Sequence, residues 1–294
     1  MINLHHHFSL LKRQATTYLC FLRSLLFRKY KFNLEDVRLH IRERSWSLPQ
    51  VSLVEAKFDS FSEMSIEGKK IFWPEKINNQ DLAWLYAEVF YEWEKNPSSY
   101  GHPMIKINEK DWVIDAGACE GFFSLYAFEN GANRVIAVEP LPSLQKPLLL
   151  TFEEMAKAER FSVISAALSN ENTTLFLDSN QDHVCDSHVT ETKSILNQIS
   201  VSSTTIDTIC EQQHLQGPGL IKMDIEGYEM NALEGAKKTL ANYKPELAIA
   251  VYHDYENALK CRDIILKANS SYHVEFRGMY AYFNPPRPYL LFAW

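Results

Sequence analysis

Beyond residue 110 the chain alternates between short apolar runs, rich in β-branched residues, and longer segments of helical character. Such runs, bounded by Gly and Pro, are typical of strands that are buried on both faces of a sheet. The predicted strands are 112–114, 134–138, 161–167, 173–177, 220–223 and 246–251, and the predicted helices are 122–130, 141–159, 229–241 and 255–268. Strands and helices in alternation predict an α/β, doubly wound domain with a mostly parallel sheet.

The end of the chain breaks this alternation. Two further apolar runs, 272–277 and 289–294, flank a Pro-rich turn at 284–288. Two strands joined directly by a turn are typical of antiparallel pairing. We therefore expect the last two strands to run antiparallel to each other.

The first 110 residues are less regular. Segment 1–44 has Leu, Phe and Tyr at roughly helical spacing among cationic residues, which predicts a basic amphipathic helix. Segment 45–108 is interrupted by aromatic residues and Pro and is expected to be irregular, except for a helix over 81–95 that Asn96-Pro97 ends. The predicted organisation is a helical segment at 1–44, an accessory region at 45–104 and the α/β domain at 105–294.

Composition and net charge narrow the classes of function. The 294 residues are 46% hydrophobic and 23% charged, as in globular proteins, and the net charge of −7 argues against a nucleic-acid partner. The sequence has no run of about 18 apolar residues, so it predicts no membrane-spanning helix. No small-residue cleavage site follows the N-terminal apolar stretch, which argues against a secreted protein. The five cysteines lack a CxxC pair, which favours reduced thiols and a cytoplasmic location.

The charge is unevenly distributed along the chain. Segment 1–44 has nine Lys and Arg against three Asp and Glu, a net charge of +6, so the remainder carries −13. A basic amphipathic helix can lie on an anionic membrane surface. It can equally dock its apolar side on the main domain or on a second subunit, or form a mobile tail, and these interpretations stay open.

A glycine-containing loop follows the first strand of the α/β domain. The sequence DAGACEG sets Gly117 and Gly121 between this strand and the next helix. Such a loop presents free N–H groups at the carboxyl edge of a sheet, where adenosine-type cofactors bind. Its pattern differs from the dinucleotide fingerprint G-x-G-x-x-G. Asp115 suits a cofactor with an amino or sulfonium cation better than a diphosphate, which disfavours a nicotinamide dehydrogenase.

Acidic residues follow two other predicted strands. Glu139 ends the second strand, where an acid accepts hydrogen bonds from a ribose diol, with a surface helix cap as the alternative. The sequence KMDIEGYE ends the fourth strand with Asp224, Glu226 and Glu229. These three cannot all be core residues, because buried carboxylates need partners. We expect a functional role for Asp224, whereas Glu229 can be functional or can cap the following helix.

Five blocks of the sequence now carry a resemblance: VIDAGACEGFFSLYA, VIAVEP, AALSNENTTLFL, STTIDTI and IKMDIEGYEMNALEGA. In this order, over about residues 105 to 294, they resemble the FkbM family of S-adenosylmethionine-dependent methyltransferases. The resemblance implies a class I methyltransferase (Rossmann-like) fold. This fold has a mostly parallel seven-stranded sheet with helices on both faces and S-adenosylmethionine over its carboxyl edge. A helical and irregular N-terminal extension lies outside the resemblance.

The resemblance also implies a set of cofactor-binding residues. They are Asp115, Gly117, Ala118, Gly121, Glu139, Ala167, Leu168 and Asp224. Asp115 and Gly117 would lie near the methionine moiety, Glu139 at the ribose, and Ala167 with Leu168 along the adenine. The loop departs from the family's frequent GANxG by having Ala118-Cys119-Glu120, which brings an acid close to the cofactor.

Methyl transfer needs alignment of the acceptor and removal of a proton. We expect His253 to be the base, since an imidazole titrates near neutrality, with Asp224 as the alternative base or as an orienting group. Glu226 and His183 are predicted to contact the substrate. A divalent metal on Asp224, Glu226, His253 and Asp254, and a purely structural His253, stay open as alternatives.

The function predicted from the sequence is O-methylation of a hydroxyl group of a sugar, a glycan or another small-molecule natural product. The alternative is a non-catalytic scaffold or binding protein with a methyltransferase fold. Nucleic acid is not expected as a partner, because the domain is acidic and has KMDIEG where nucleic-acid methyltransferases carry Asn-Pro-Pro-Tyr. Membrane contact through 1–44 and formation of a homo-oligomer stay open, and the aromatic residues of 45–100 and of the C-terminus suit a substrate lid or a dimer surface.

Overall fold

The structure is a computed structural model. It describes residues 4–27, 29–58, 61–74, 79–107, 112–178, 188–190, 198–215, 217, 219–283 and 285–294. The helices in these ranges are α1 (Leu4–Phe27), α2 (Leu34–Glu43), α3 (Asn79–Phe90), α4 (Phe122–Glu129), α5 (Pro142–Thr151), α6 (Glu153–Lys157), α7 (Ile206–Gln212), α8 (Glu229–Glu234), α9 (Lys237–Tyr243) and α10 (Asn257–Ala268).

The strands fall into three sheets. The strands are β1 (Val51–Phe58), β2 (Phe61–Ile66), β3 (Lys69–Pro74), β4 (Trp112–Ala116), β5 (Arg134–Val138), β6 (Phe161–Ile164), β7 (Ala167–Leu168), β8 (Thr174–Asp178), β9 (His188–Thr190), β10 (Gln198–Thr204), β11 (Leu220–Met223), β12 (Glu246–Ala250), β13 (Val274–Tyr280) and β14 (Arg287–Ala293).

The largest sheet has seven strands in the order β13-β14-β12-β11-β4-β5-β6. The strands from β12 to β6 are parallel, and β14 runs antiparallel to both of its neighbours. Every residue of β4 and of β11 is buried, which explains why both strands are apolar except for Asp115 and Lys222. Alternate residues of the strands belong to two different apolar clusters, one on each face of the sheet. Ile114 packs in the cluster that includes α8 and α10, and Val113 packs in the cluster that includes α4 and α5. The predicted α/β fold with helices on both faces is therefore confirmed, as is the antiparallel C-terminal pair.

The strand order also determines where a ligand site can form. The chain passes from β4 outward to β5 and β6, and later returns to β11 on the other side of β4. The loops that follow β4 and β11 therefore leave the sheet in different directions. In such folds the crevice at this topological switch point is the usual ligand site. Gly117 follows β4 and Asp224 follows β11, so both residues lie at the switch point.

Some predicted elements differ in detail. The run predicted at 161–167 divides into β6 of the large sheet and β7, which pairs with β10. The run predicted at 173–177 corresponds to β8, which is not part of the large sheet but of a four-stranded sheet of order β7-β10-β8-β9. The helix predicted at 141–159 is interrupted at Phe152, and the helix predicted at 229–241 after Glu234. Hydrophobic periodicity does not resolve such local interruptions.

The expectation of irregular structure at 45–108 is wrong for residues 51–74, and the helix predicted at 81–95 corresponds to α3, which ends earlier, at Phe90. Residues 51–74 form a three-stranded antiparallel sheet of β1, β2 and β3. Glu67 and Gly68 form the turn between β2 and β3 with φ of 49° and 80°, as tight hairpin turns require. Met64, Ile66, Ile71 and Trp73 face the core, where they pack with residues of α3. This two-residue alternation is the signal that the sequence contained.

The N-terminal segment is helical, as predicted. Asn33 caps α2 and forms a capping box with Asp36, which accounts for the start of that helix. Cys20 of α1 and Val37 of α2 are buried in one cluster with Met279 of β13, so both helices dock on the edge of the large sheet. The side chains of Tyr18, Leu19, Leu22, Leu25 and Leu26 on α1 are exposed. None of the described helices combines the length and apolar character that a bilayer crossing requires.

The cysteines differ from the expectation. Cys20, Cys210 and Cys261 are free and buried, as predicted for structural thiols. Cys119 is instead disulfide-bonded. The prediction of reduced thiols is thus wrong for the cysteine of the glycine-containing loop, and the cysteines no longer support a particular compartment.

Candidate active site

A cavity opens at the carboxyl edge of the large sheet, and we call it the Glu139 cavity. Its walls come from the segments that follow β4, β5, β6 and β11. The lining residues are Gly117, Cys119, Val138, Glu139, Pro140, Leu141, Leu144, Ala166, Ala167, Leu168, Leu177, Asp224, Ile225, Glu226 and Tyr228. Five of the predicted cofactor-binding residues, Gly117, Glu139, Ala167, Leu168 and Asp224, thus line one cavity.

Gly117 allows the loop after β4 to touch the loop after β11. Its φ is +72°, in the left-handed region that favours glycine. A Cβ at this position would lie 1.8 Å from the backbone oxygen of Asp224. Residue 117 must therefore be glycine for the two loops to meet at the switch point.

Glu139 presents a carboxylate that the backbone holds in place. Its two oxygens accept hydrogen bonds from the backbone N–H groups of Cys119, at 3.0 Å, and Leu141, at 2.9 Å. The side chain is buried, and burial raises the pKa of Glu139 to about 7. Each oxygen keeps a second lone pair, so an oriented carboxylate can still accept hydrogen bonds from a ribose diol.

Asp115 does not line the cavities of the site. It lies beneath the loop with its carboxylate fully buried, where Oδ2 accepts a hydrogen bond of 2.7 Å from the Ser124 hydroxyl. Its Oδ1 lies 3.2 Å from Nζ of Lys222, the residue opposite it on β11. Lys222 also donates to the carbonyl of Gly117 at 2.8 Å. The structure thus gives Asp115 a role in holding the loop rather than direct access to a ligand.

Lys222 is the cation of this buried network. Burial alone would lower the pKa of Lys222, but Asp115, Asp224 and Glu120 outweigh burial, and the pKa is raised. Glu120, the unusual acid of the loop, is also buried, which raises its pKa to about 7. Sequence reasoning missed Lys222, although a lysine inside an otherwise apolar strand indicates a buried partner.

A second, larger space adjoins the Glu139 cavity. Two cavities share the lining residues Trp84, Glu88, Tyr100, Asp224, Tyr252 and Tyr280, and we call them together the Glu88 chamber. Asp224 borders the chamber and the Glu139 cavity alike, as do Gly117 and Glu226. The site therefore consists of two compartments that meet at Asp224.

The accessory region forms one wall of the Glu88 chamber. Trp73 of β3 and Asp81, Trp84, Leu85 and Glu88 of α3 all line it. Trp73 and Trp84 are among the aromatic residues of 45–100 that suit a substrate lid, but none of the five was predicted as a site residue, because they lie outside the segment that resembles the methyltransferase family. The available signal was the acidic residue Glu88 within the apolar stretch of α3.

Asp224 and His253 belong to a chain of polar contacts. Oδ2 of Asp224 accepts a hydrogen bond of 2.9 Å from the Tyr100 hydroxyl, and Oδ1 lies 3.5 Å from Nε2 of His253. The same nitrogen lies 3.3 Å from Glu226, and Nδ1 lies 3.2 Å from Glu229. His253 is thus surrounded by three carboxylates.

These carboxylates determine the charge state of His253. Burial alone would lower its pKa, but Glu229, Glu226 and Asp224 outweigh burial and raise the pKa well above 6.5. An imidazole that is already protonated at neutral pH cannot accept a proton. The role of base stays a prediction for His253, and its surroundings argue for Asp224, the alternative base, instead.

Glu229 completes this arrangement from below. It is fully buried and accepts hydrogen bonds from the backbone N–H groups of Ile225 and Gly227, each at 3.2 Å, and from the Asn257 amide at 2.9 Å. The Glu229 carboxylate therefore fixes the turn that follows Asp224 and orients His253, rather than facing a ligand. The pKa of Glu229 is lowered, because His253 and these hydrogen bonds outweigh its burial.

We expect His253→Asn to destabilise the protein in a pH-dependent way. A group with a raised folded-state pKa contributes its full stabilisation below its unfolded pKa of about 6.5, and loses it as the pH rises through the folded pKa. Denaturant unfolding at pH 6 should show a loss of about 3 kcal/mol, as for a broken buried pair, and a smaller loss at pH 9.

The control is His214→Asn, at an exposed histidine just after α7. Its loss in free energy of unfolding should be small at both pH values. A loss from His253→Asn that is equal at pH 6 and pH 9 would show that His253 is not held as a cation.

The other predicted site residues are distributed as follows. Ala118 lines the Glu88 chamber, and Gly121 begins α4 at φ +89° and packs against Leu148 and Phe152. His183 lies outside the described residues. Ligand atoms of Asp224, Glu229 and His253 lie within 4.8 Å of one another, the spacing of a metal site. The oxygens of Glu229 are already used by the hydrogen bonds given above, and Asp254 is exposed and accepts from the backbone of Glu256.

The mostly parallel seven-stranded sheet and the site at its carboxyl edge are those of a class I methyltransferase fold. The model of the methyltransferase FkbM domain matches residues 115–283, which is more than half of the chain. The chain belongs to the FkbM methyltransferase family. The family implies S-adenosylmethionine as the methyl donor, and the residues fit it, since Glu139 is held at a cavity whose other walls, at Ala167 and Leu168, suit a base.

One solved structure shows a similar fold. The methyltransferase FkbM from Methylobacillus flagellatus KT aligns over 71% of this chain with 21% identity and a TM-score of 0.51. The chain spans about half, 48%, of the length of that structure. TYW2 of P. horikoshii in complex with MeSAdo aligns over 81% of this chain and 72% of its own, with 13% identity and a TM-score of 0.42.

A SAM-dependent O-methyltransferase from Thermotoga maritima aligns over 65% of this chain and 61% of its own, with 13% identity and a TM-score of 0.35. At 21% identity the likeness to the Methylobacillus flagellatus structure concerns the fold alone. The comparison with curated proteins gave no significant match.

Proposed function

We propose that the chain is an S-adenosylmethionine-dependent O-methyltransferase that acts on a hydroxyl group of a sugar, a glycan or another small-molecule natural product. The observation that carries this proposal is the pair of compartments that meet at Asp224. The Glu139 cavity offers an oriented carboxylate and apolar walls for a nucleoside, and the Glu88 chamber offers space for an acceptor. The aromatic walls of the chamber suit the apolar faces of a sugar or a natural product.

The protein has a limited task in such a reaction. S-adenosylmethionine, when bound, supplies a methyl group on a sulfonium that is already activated. The chain's own residues must align the acceptor hydroxyl and remove its proton. Asp224 lies where the two compartments meet, and the Tyr100 hydroxyl orients its carboxylate. We infer that Asp224 accepts the proton, while His253 and Glu229 hold the turn that carries it.

Binding of S-adenosylhomocysteine tests the proposal. Glu139→Ala removes the two carboxylate oxygens that accept hydrogen bonds from the backbone N–H groups of Cys119 and Leu141. It also removes the proposed contact to the ribose. We expect a loss of about 10- to 100-fold in affinity, since hydrogen bonds to a charged group are worth about 1.5–3 kcal/mol. Calorimetric titration of wild type and variant measures the effect.

Glu171→Gln, at an exposed glutamate, is the control and should bind as the wild type does. A folded wild type that does not bind S-adenosylhomocysteine would contradict the proposal and favour the non-catalytic scaffold. A Glu139→Ala variant that binds as the wild type does would remove Glu139 from the site.

A further inference from the structure

The Glu88 chamber is rich in carboxylates and aromatic rings. Five acidic side chains line it: Asp81, Glu88, Glu120, Asp224 and Glu226. Four aromatic residues, Trp84, Tyr252, Tyr280 and Tyr282, form much of the wall around Glu88. The rings of Tyr252 and Tyr280 are stacked, with centroids 4.7 Å apart. Such a combination is typical of sites that bind cations, because carboxylates and ring faces both attract positive charge.

The described cations of the site are bound to other carboxylates. Lys222 lines the chamber, but its Nζ is held by Asp115 and the Gly117 carbonyl. His253 lies among Asp224, Glu226 and Glu229. These two cations therefore compensate the acids at the switch point and do not reach α3.

Glu88 is left without a cationic partner among the described residues. Its carboxylate accepts a hydrogen bond of 2.8 Å from Nε1 of Trp84, one turn earlier on α3. Burial, together with the nearby carboxylates of Asp224 and Glu43, raises the pKa of Glu88 well above its usual value. The ionised form of Glu88 is therefore unfavourable here unless a positive group lies beside it.

The predicted cofactor-binding residues that also line the chamber are Gly117, Ala118 and Asp224, on the loops after β4 and β11, whereas Glu88 lies on α3. Glu88, Trp84 and Tyr280 line both cavities of the chamber, and none of them lines the Glu139 cavity. A neutral hydroxyl group of an acceptor would not stabilise the ionised form of Glu88, which would then keep its proton. A protonated amine donates hydrogen bonds and also neutralises the charge.

We propose that the acceptor is a small molecule with a protonated amino group, which the Glu88 carboxylate binds in the chamber beside Trp84 and Tyr280. The inference rests on the proposed function, because the chamber is the acceptor compartment only if the Glu139 cavity holds the methyl donor. It identifies the acceptor class as amine-bearing, with an amino sugar as the form that also offers hydroxyl groups for methylation.

The test compares two probes that differ in one group, glucosamine and glucose. Each is titrated into the full chain in the presence of saturating S-adenosylhomocysteine, and binding is followed by calorimetry and by Trp fluorescence. We expect glucosamine to bind about tenfold or more tightly than glucose, as for one charge-assisted contact. Glu88→Gln keeps the size of the side chain and should abolish this preference.

Glu94→Gln, at an exposed glutamate outside the chamber, is the matched control and should keep the preference. Trp84→Leu provides a second variant that should weaken glucosamine binding while Glu88 is retained. Thermal melting establishes that each variant is folded. If Glu88→Gln does not fold, the ratio of the affinities for glucosamine and glucose still tests the inference. This ratio is then compared between the wild type and Trp84→Leu.

Equal affinity for the two sugars in the wild type would overturn the inference, and so would a preference that survives in Glu88→Gln. Failure of glucosamine to saturate at tens of millimolar would overturn it as well. In each of these cases, intact binding of S-adenosylhomocysteine would leave the proposed function in place. Absence of S-adenosylhomocysteine binding would instead contradict the proposed function itself.

Discussion

Replacing Lys222 with Met is expected to lower the free energy of unfolding by about 3–5 kcal/mol, the typical cost of breaking a buried ion pair. The side chain of Lys222 is 7% exposed and that of Asp115 is fully buried. Methionine has similar length but leaves the Asp115 carboxylate and the Gly117 carbonyl without their cation. Because folded domains have only about 5–15 kcal/mol of stability, this is a large fraction of the total.

Denaturant unfolding measures this loss, with Lys238→Met as the control. Lys238 is exposed and pairs with Glu211 at the surface, so its replacement should cost about 1 kcal/mol or less. The double variant Asp115→Asn with Lys222→Met removes the uncompensated charge and should recover part of the loss. A loss of less than about 1 kcal/mol from Lys222→Met alone would show that the pair is not a source of stability.

The strands around the switch point could be predicted from the sequence because their signals are local. β4, β5, β11 and β12 are apolar runs buried on both faces, and each was predicted within one or two residues of its observed bounds. Glu139 and Asp224 follow such runs directly, so the fold brings them to the same edge of the sheet. Strand ends and glycine loops are features that a single sequence displays.

Contacts between distant segments could not be predicted in the same way. Asp115 looked like a ligand of the cofactor, but its orientation depends on Lys222, which only the pairing of β4 with β11 brings opposite it. His253 is predicted as a base, and the carboxylates that determine its charge come from the loop after β11 and from the start of α8. In both cases the local sequence indicates a polar group, and the tertiary partner determines its charge and role.

The Glu88 chamber illustrates the same limit on a larger scale. Its walls combine α3 with segments more than a hundred residues further along the chain, such as Asp224 and Tyr280. The sheet β1–β3, which positions Trp73 in this wall, was missed because its alternation of core-facing and outward residues extends over runs of only six to eight residues, among aromatic residues and Pro that favour irregular structure. The function of the accessory region therefore emerges only from the assembled structure.

Replacing Gly117 with Ala is expected to reduce the affinity for S-adenosylhomocysteine by about 100-fold or more, which corresponds to about 3 kcal/mol. The added Cβ would lie 1.8 Å from the backbone oxygen of Asp224 and 2.9 Å from its carbonyl carbon. Both atoms belong to the backbone directly after β11, which is paired with β4, so neither loop can move without disturbing the sheet. The two loops must separate, and the edge shared by the Glu139 cavity and the Glu88 chamber is distorted.

Gly68→Ala distinguishes this steric effect from backbone strain. Gly68 also has a positive φ, +80°, but a Cβ there would meet no atom within 4 Å. Its replacement should cost about 1 kcal/mol of stability for the unfavourable φ and leave binding unchanged. Calorimetric titration and thermal melting of both variants separate the two contributions. If Gly117→Ala bound S-adenosylhomocysteine as tightly as Gly68→Ala does, contact between the loops after β4 and β11 would not be a requirement of the site.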